Sequence, residues 1–258
     1  MTARATCDAC RSGAAFPVPF TMAFQPIIDA NAGEVWGYEA LVRGTDGSGA
    51  AAVLGAVTEA NRYQFDQACR VKAIELAGAG LIGNDTARLS INFKPNAVYE
   101  PRACIRASLA AAERVGFAPT RLMFEFTEDE RMDDVAHVQH IVESYKSMGF
   151  TTALDDFGAG HAGLTLLAAF QPDVIKLDMA LLRGVDAAPR RQAVVRGIVG
   201  IAAELGITVL AEGVETEAEF RYLRGIGIPL FQGYYLARPE VETFRPASDI
   251  AVLRKLAA

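Results

Sequence analysis

The chain is poor in the residues that would place it in several common classes. Four cysteines in 258 residues are too few for a disulfide framework, and their sparseness suits a reducing cytoplasm. Histidine occurs three times and tryptophan once. Lysine and arginine number 25 against 31 acidic residues, a formal charge of −6. That balance excludes the broad basic face that duplex nucleic acid requires. No apolar run reaches the length of a membrane span; "LTLLAAF" is among the longer ones. The opening "MTARATCDACRSGAAFPVPF" lacks the apolar stretch of a signal peptide. A soluble cytoplasmic domain with no membrane contact is the expectation.

Apolar residues make up 51% of the chain, enough for one sizeable core. Eight short runs rich in β-branched and aromatic residues follow a loose, turn-rich lead over residues 1–20. They are "MAFQPII", "EVWGYEALV", "RLSINF", "RLMFEFTE", "FTTALDD", "DVIKLD", "ITVLAEG" and "PLFQGYYL". Helical patterns separate most of them, such as "AAVLGAVTEANRYQFDQACRVKAIELAGAG" and "VVRGIVGIAAELG". Strands alternating with helices predict an α/β fold, a TIM-like (β/α)8 barrel over residues 21–258. The connection "DANAGE" is too short for a crossover helix, so the first two strands form a hairpin and the first runs antiparallel to the others.

Barrels of this class collect their chemistry at the C-terminal strand ends. Those ends carry Glu39, Asn92, Glu125, Glu128, Asp155, Asp156, Lys176, Asp178, Glu212, Glu215 and Gln232. Each has an ordinary reading as a helix cap or solvated strand end, and the Asp155–Asp156 pair alone would be read that way. The recurrence on strand after strand points elsewhere. Two carboxylates held about 4 Å apart repel by about 4 kcal/mol at an effective dielectric near 20, so a converging set must take up protons or cations. Oxygen donors favour hard divalent ions such as Mg²⁺ or Mn²⁺. Adjacent strand residues face opposite sides, so Asp155 and Asp156 share a site only if the strand ends between them and the chain turns, as "FGAG" permits. One carboxylate bridging two metals is an arrangement for attack on phosphate esters.

In order, "FQPI", "YEALVRG", "SINF", "FEFTE", "LDDFGAG", "DVIKLD", "AEGVE" and "FQGYYLARP" resemble the segments of EAL-domain phosphodiesterases acting on cyclic di-GMP. The likeness runs over roughly residues 22–240. It implies hydrolysis of cyclic di-GMP to linear pGpG in a barrel with a reversed first strand. By the resemblance, Glu39, Asn92, Glu125 and Asp155 hold one metal, and Asp155, Asp156 and Glu212 the other, with Lys176 assisting the attacking water. Arg43 matches a phosphate-pairing arginine. Gln25, Leu41 and Gln232 fall at positions around the ligand, Asp66 at a carboxylate facing a guanine edge, and Glu128 at a residue steadying the loop after Asp156. A homodimer and a regulatory protein partner are further implications. With no synthase or sensor segment recognisable, regulation would enter through a partner, self-association or the N-terminal lead.

Two departures stand out. "HAGL" replaces an aromatic residue and two serines after the aspartates, which implies altered loop dynamics, and Lys94 in "NFKP" replaces a small polar residue and is expected to face solvent. His137 and His140 on one helix are read as packed or exposed, and Cys7 with Cys10 as part of a flexible tail. The main alternative to an enzyme is an EAL-like cyclic di-GMP receptor or protein-binding regulator. Such proteins usually lack metal carboxylates that are present here. Hydrolysis of another phosphate ester is a third reading.

Overall fold

Asp29 closes the first strand and starts the turn that reverses it. Its Oδ1 accepts from the backbone N–H groups of Asn31 (2.8 Å) and Ala32 (2.9 Å), and Gly33 takes the left-handed conformation, φ +71°, that completes the turn. The strands on either side, β1 (Phe20–Asp29) and β2 (Glu34–Gly44), pair antiparallel along their whole length. The structure, a computed structural model, describes residues 16–81, 84–95, 98, 100–127, 135–160 and 163–256. The lead carrying Cys7 and Cys10, the loop residues His161 and Ala162, and Glu128 lie outside the described residues.

Six further strands follow in parallel: β3 (Arg88–Asn92), β4 (Leu122–Thr127), β5 (Thr151–Phe157), β6 (Val174–Leu177), β7 (Thr208–Ala211) and β8 (Leu230–Phe231). β8 then pairs antiparallel with β1 and closes the ring, which is the barrel with a reversed first strand. A short β9 (Glu240–Val241) also pairs antiparallel with β1, at Ala23 and Phe24. Two residues are too few for a periodic signal, so the sequence did not announce it. The single helical pattern after β2 splits into α1 (Ala50–Leu54) and α2 (Arg62–Gly80). Asn61 ties the break, accepting from Thr58 N–H (2.7 Å) and donating to the Ala56 carbonyl (3.0 Å).

Most of the core lies between the barrel wall and its helices. A second, smaller cluster fills the barrel floor: Ile27, Met123, Ala153, Val174, Leu210 and Leu230, with Trp36 packed against it. Strand side chains alternate faces, so the next inward positions are two residues on. Those positions are Glu125, Asp155, Lys176, Glu212 and Gln232, and on the reversed β1, Gln25. An apolar plug therefore supports a polar layer directly above it.

β8 ends early because the chain folds sharply at Gly233, where φ is +154° and an added Cβ would meet the Val214 carbonyl oxygen at 2.1 Å and its nitrogen at 2.3 Å. The sequence run "PLFQGYYL" reads as a longer strand than this backbone allows. Gly233→Ala should cost about 3 kcal/mol through overpacking and backbone strain. Thermal unfolding is the check, with a fall in Tm of roughly 6–12 °C expected for a domain of this size.

Candidate functional site

The polar layer centres on Lys176, which is 1% exposed. Its Nζ lies 2.7 Å from Glu212 Oε1, 2.8 Å from Glu125 Oε2, 3.1 Å from Asp155 Oδ1 and 3.7 Å from Glu39 Oε1. Burial alone would pull the lysine pKa down, but Asp155, Glu125, Glu212 and Glu39 outweigh it and hold the ammonium well above its ordinary value. Burial pushes the Glu125 carboxyl up to about 8, with the Glu39 and Asp155 charges adding to the rise and Lys176 opposing it. Glu212 is likewise raised well above its ordinary value, by burial first and then by Asp155, Glu39 and Glu125, against Lys176.

Asp155 and Asp156 reach the same side by a route different from the expected strand end. β5 continues to Phe157, and between the pairs Leu154–Ile175 and Phe157–Leu177 the two aspartates oppose Lys176 alone. This is a β-bulge. Asp156 takes φ +54°, a left-handed conformation that aspartate tolerates better than most residues, and its N–H donates to Asp155 Oδ1 at 2.9 Å. The bulge cancels the alternation that would have sent the second carboxylate outward.

Two carboxylate groups result, Glu39–Glu125–Asp155 and Asp155–Asp156–Glu212, with one oxygen from each member within 4.8 Å of the others. Asp155 belongs to both. Asn92, at the end of β3, donates from Nδ2 to Glu39 Oε1 at 3.1 Å. Gln232 donates from Nε2 to Glu39 Oε2 (2.7 Å) and to Gln25 Oε1 (3.2 Å), and Gln25 donates to the Ala237 carbonyl (3.1 Å). Five carboxylates facing one ammonium leave a formal −4, a deficit that divalent cations would offset. The donor set consists of hard oxygens and fits a hard divalent cation.

Two clefts flank this layer and meet at Leu41. One, of about 370 Å³, is lined by Gln25, Glu39, Asp156, Glu212, Gln232 and Tyr234, among others. Tyr234 is half exposed, with the Arg238 guanidinium 4.1 Å from its ring centre. The other, of about 320 Å³, is lined by Arg43, Leu54, Phe65, Asp66, Asn92 and Phe93, among others. Arg43 and Asp66 thus sit apart from the carboxylate layer. Arg43 Nη1 donates to the Val42 carbonyl at 2.7 Å. Asp66 is buried, accepts from the backbone N–H of Lys94 (3.1 Å) and pairs with Arg70; the Lys94 side chain is exposed.

Other strand-end acids have the ordinary roles. Asp178 caps the short helix Met179–Leu182 by accepting from Ala180 N–H at 2.7 Å, and Glu215 pairs with Arg183. His137 meets the Val98 carbonyl at 2.7 Å and His140 is exposed; neither joins a metal-capable group among the described residues. Ser90 was not singled out in the sequence. Fully buried, its hydroxyl donates to Glu125 Oε1, so both oxygens of Glu125 are held, one by Ser90 and one by Lys176. The available signal was its place two residues before Asn92 on the same strand face.

The raised Glu125 and Glu212 carboxyls set a pH dependence. Glu125 and Glu212 hold protons in the folded state that the unfolded chain releases above its ordinary carboxyl pKa of 4.5. Stability of the chelated protein should therefore fall as pH rises from 4.5 through about 8. Lys176, raised above 10.5, adds no slope in that window. Saturating Mn²⁺ should flatten or reverse the slope, because bound carboxylates must be ionised. Thermal unfolding across this range with EDTA and with Mn²⁺ measures both.

The family model for the EAL domain matches residues 18–239. The blue light- and temperature-regulated antirepressor BluF of Escherichia coli (strain K12) is 32% identical over 219 residues, covering 85% of this chain and 54% of BluF. The cyclic di-GMP phosphodiesterase NbdA of Pseudomonas aeruginosa is 30% identical, covering 84% of this chain and 28% of NbdA. The chain thus spans about half or less of these relatives. Among solved structures, a standalone versatile EAL protein from Vibrio cholerae O395 in its c-di-GMP bound form is 50% identical with a TM-score of 0.86, covering 90% of this chain and 97% of that one. The manganese/cy-diGMP complex of Klebsiella pneumoniae BlrP1 at pH 6 is 34% identical with a TM-score of 0.81, covering 88% and 57%. With the family model spanning most of its length and the strand-end residues converging as described, this chain belongs to the EAL domain family.

Proposed function

We propose that the chain is a metal-dependent phosphodiesterase that hydrolyses cyclic di-GMP to linear pGpG. The observation that carries this reading is Asp155, common to two carboxylate groups whose members Glu39, Asp156 and Glu212 line one of the two clefts. Relatives named as cyclic di-GMP phosphodiesterases and neighbours with the nucleotide bound support it.

Glu39, Asn92, Glu125 and Asp155 would hold one divalent cation, and Asp155, Asp156 and Glu212 a second. Such ions supply Lewis acidity, activating water and screening phosphate charge. The protein's part is placement. Ser90 and Gln232 fix Glu125 and Glu39. Lys176 holds its proton where the carboxylate groups meet and orients the attacking water. Arg43 pairs with a phosphate, and Leu41 separates the two guanine sites, one of which presents Asp66 to a base edge. Attack at phosphorus breaks the P–O3′ bond; the 3′ oxygen takes a proton and the phosphate stays on the 5′ side.

A protein-binding regulator is the second reading, favoured by the kinship to an antirepressor. Incubation with cyclic di-GMP and Mn²⁺, with chromatographic separation of products, decides between them. Accumulation of pGpG is expected, stopped by chelator and reduced by roughly 10²-fold or more in Glu39→Ala and Asp155→Asn, since loss of a ligand costs at least as much as loss of its supporting shell. No product, with the nucleotide still bound, would mean a receptor. Neither product nor binding would leave the regulator.

A further inference from the structure

Arg70 is buried in α2, 3% exposed, and does not line either cleft. Its Nη1 lies 3.1 Å from Asp66 Oδ2, one helical turn before it. Neither Nη1 nor Nε has a hydrogen-bond partner, so Nη1 meets Asp66 as a charge pair and that one carboxylate is its ionic partner. A buried ion pair of this kind gives little net stability, because desolvation of both charges offsets their attraction. The reason for placing a guanidinium here is better sought in what Asp66 does.

Asp66 is the carboxylate in the wall of the 320 Å³ cleft, whose other walls include Leu41, Leu54, Phe65 and Phe93. Arg70 engages Oδ2 and the Lys94 N–H engages Oδ1. Each carboxylate oxygen has a second lone pair, so both remain able to accept from two parallel donors. Burial raises the Asp66 carboxyl above its ordinary range, and Arg70 is the largest influence opposing that rise, ahead of the Lys94 N–H and the Lys94 charge. A protonated acid would present a donor where a carboxylate presents two acceptors.

We propose that Arg70 is a positioning residue for base selection: behind the cleft wall, it fixes Asp66 as an oriented carboxylate and so sets a preference for guanine, whose N1–H and N2–H form a matching pair of donors. This rests on the reading above that a guanine of cyclic di-GMP occupies this cleft.

The test is equilibrium binding of cyclic di-GMP and of its inosine analogue, which lacks the N2 amine. Ca²⁺ is present, and the full chain is compared with Asp66→Asn, Arg70→Met, Arg70→Lys and the Asp66→Asn/Arg70→Met double variant. Wild type should prefer the guanine ligand by about tenfold, the scale of one hydrogen bond to a charged group. Arg70→Met should lose most of that preference, Arg70→Lys should retain part of it, and Arg70→Met should change nothing further once Asp66 is already Asn. A merely structural arginine would lower affinity for both ligands alike. Preference intact in Arg70→Met but lost in Asp66→Asn would overturn the role of Arg70. Preference intact in Asp66→Asn, or no binding by wild type, would instead overturn the assignment of the cleft and the proposal with it. Should Arg70→Met fail to fold, Arg70→Lys decides, since it keeps the buried charge and loses the fork; full preference there contradicts the proposal.

Discussion

An ammonium group 1% exposed and within 3.7 Å of four carboxylates is the constraint on which the mouth of this barrel depends. Burying Glu125 completely, beside Glu39, Asp155 and Glu212, has no stable solution without positive charge among them. Lys176 supplies one such charge, and proton uptake on Glu125 and Glu212 supplies part of the remainder. Removing one partner from a buried charge set costs about 3–5 kcal/mol, so the arrangement is held as a unit. The same electrostatic deficit makes the site receptive to divalent cations. The folding problem and the proposed chemistry share one cause.

The backbone solves the placement problem with the two-residue period of a strand. Met123, Ala153, Val174, Leu210 and Leu230 plug the floor, and the residues two further along each strand form the polar layer. On the reversed β1 the step runs backward, from Ile27 to Gln25, which stands opposite Glu39 in the hairpin. Asp156 needs an exception to this period, and the bulge at β5 provides it. The extra residue brings a fifth carboxylate into the layer without altering the register of β5 against β4. Asp155 can then belong to both carboxylate groups.

Much of this was legible in the chain. The eight runs, the short "DANAGE" link and the acids at strand ends specified the barrel, its reversed strand and the converging residues. What escaped had no periodic signature. β9 is two residues long, the break between α1 and α2 is made by local hydrogen bonds of Asn61, and β8 stops because of a contact between Gly233 and the distant Val214. Spacing suggested that Asp155 and Asp156 would share a site across a strand end, whereas the structure uses a bulge within the strand. Ser90 and Arg70 act through other residues, so neither stands at a strand end where the chemistry gathers.

Manganese binding followed by electron paramagnetic resonance addresses the sharing of Asp155 most directly. Two Mn²⁺ per chain are expected, with the spin coupling of a close pair, and Asp155→Asn should abolish that coupling. A single uncoupled ion at saturation, or a coupled pair that survives Asp155→Asn, would contradict the shared-carboxylate site.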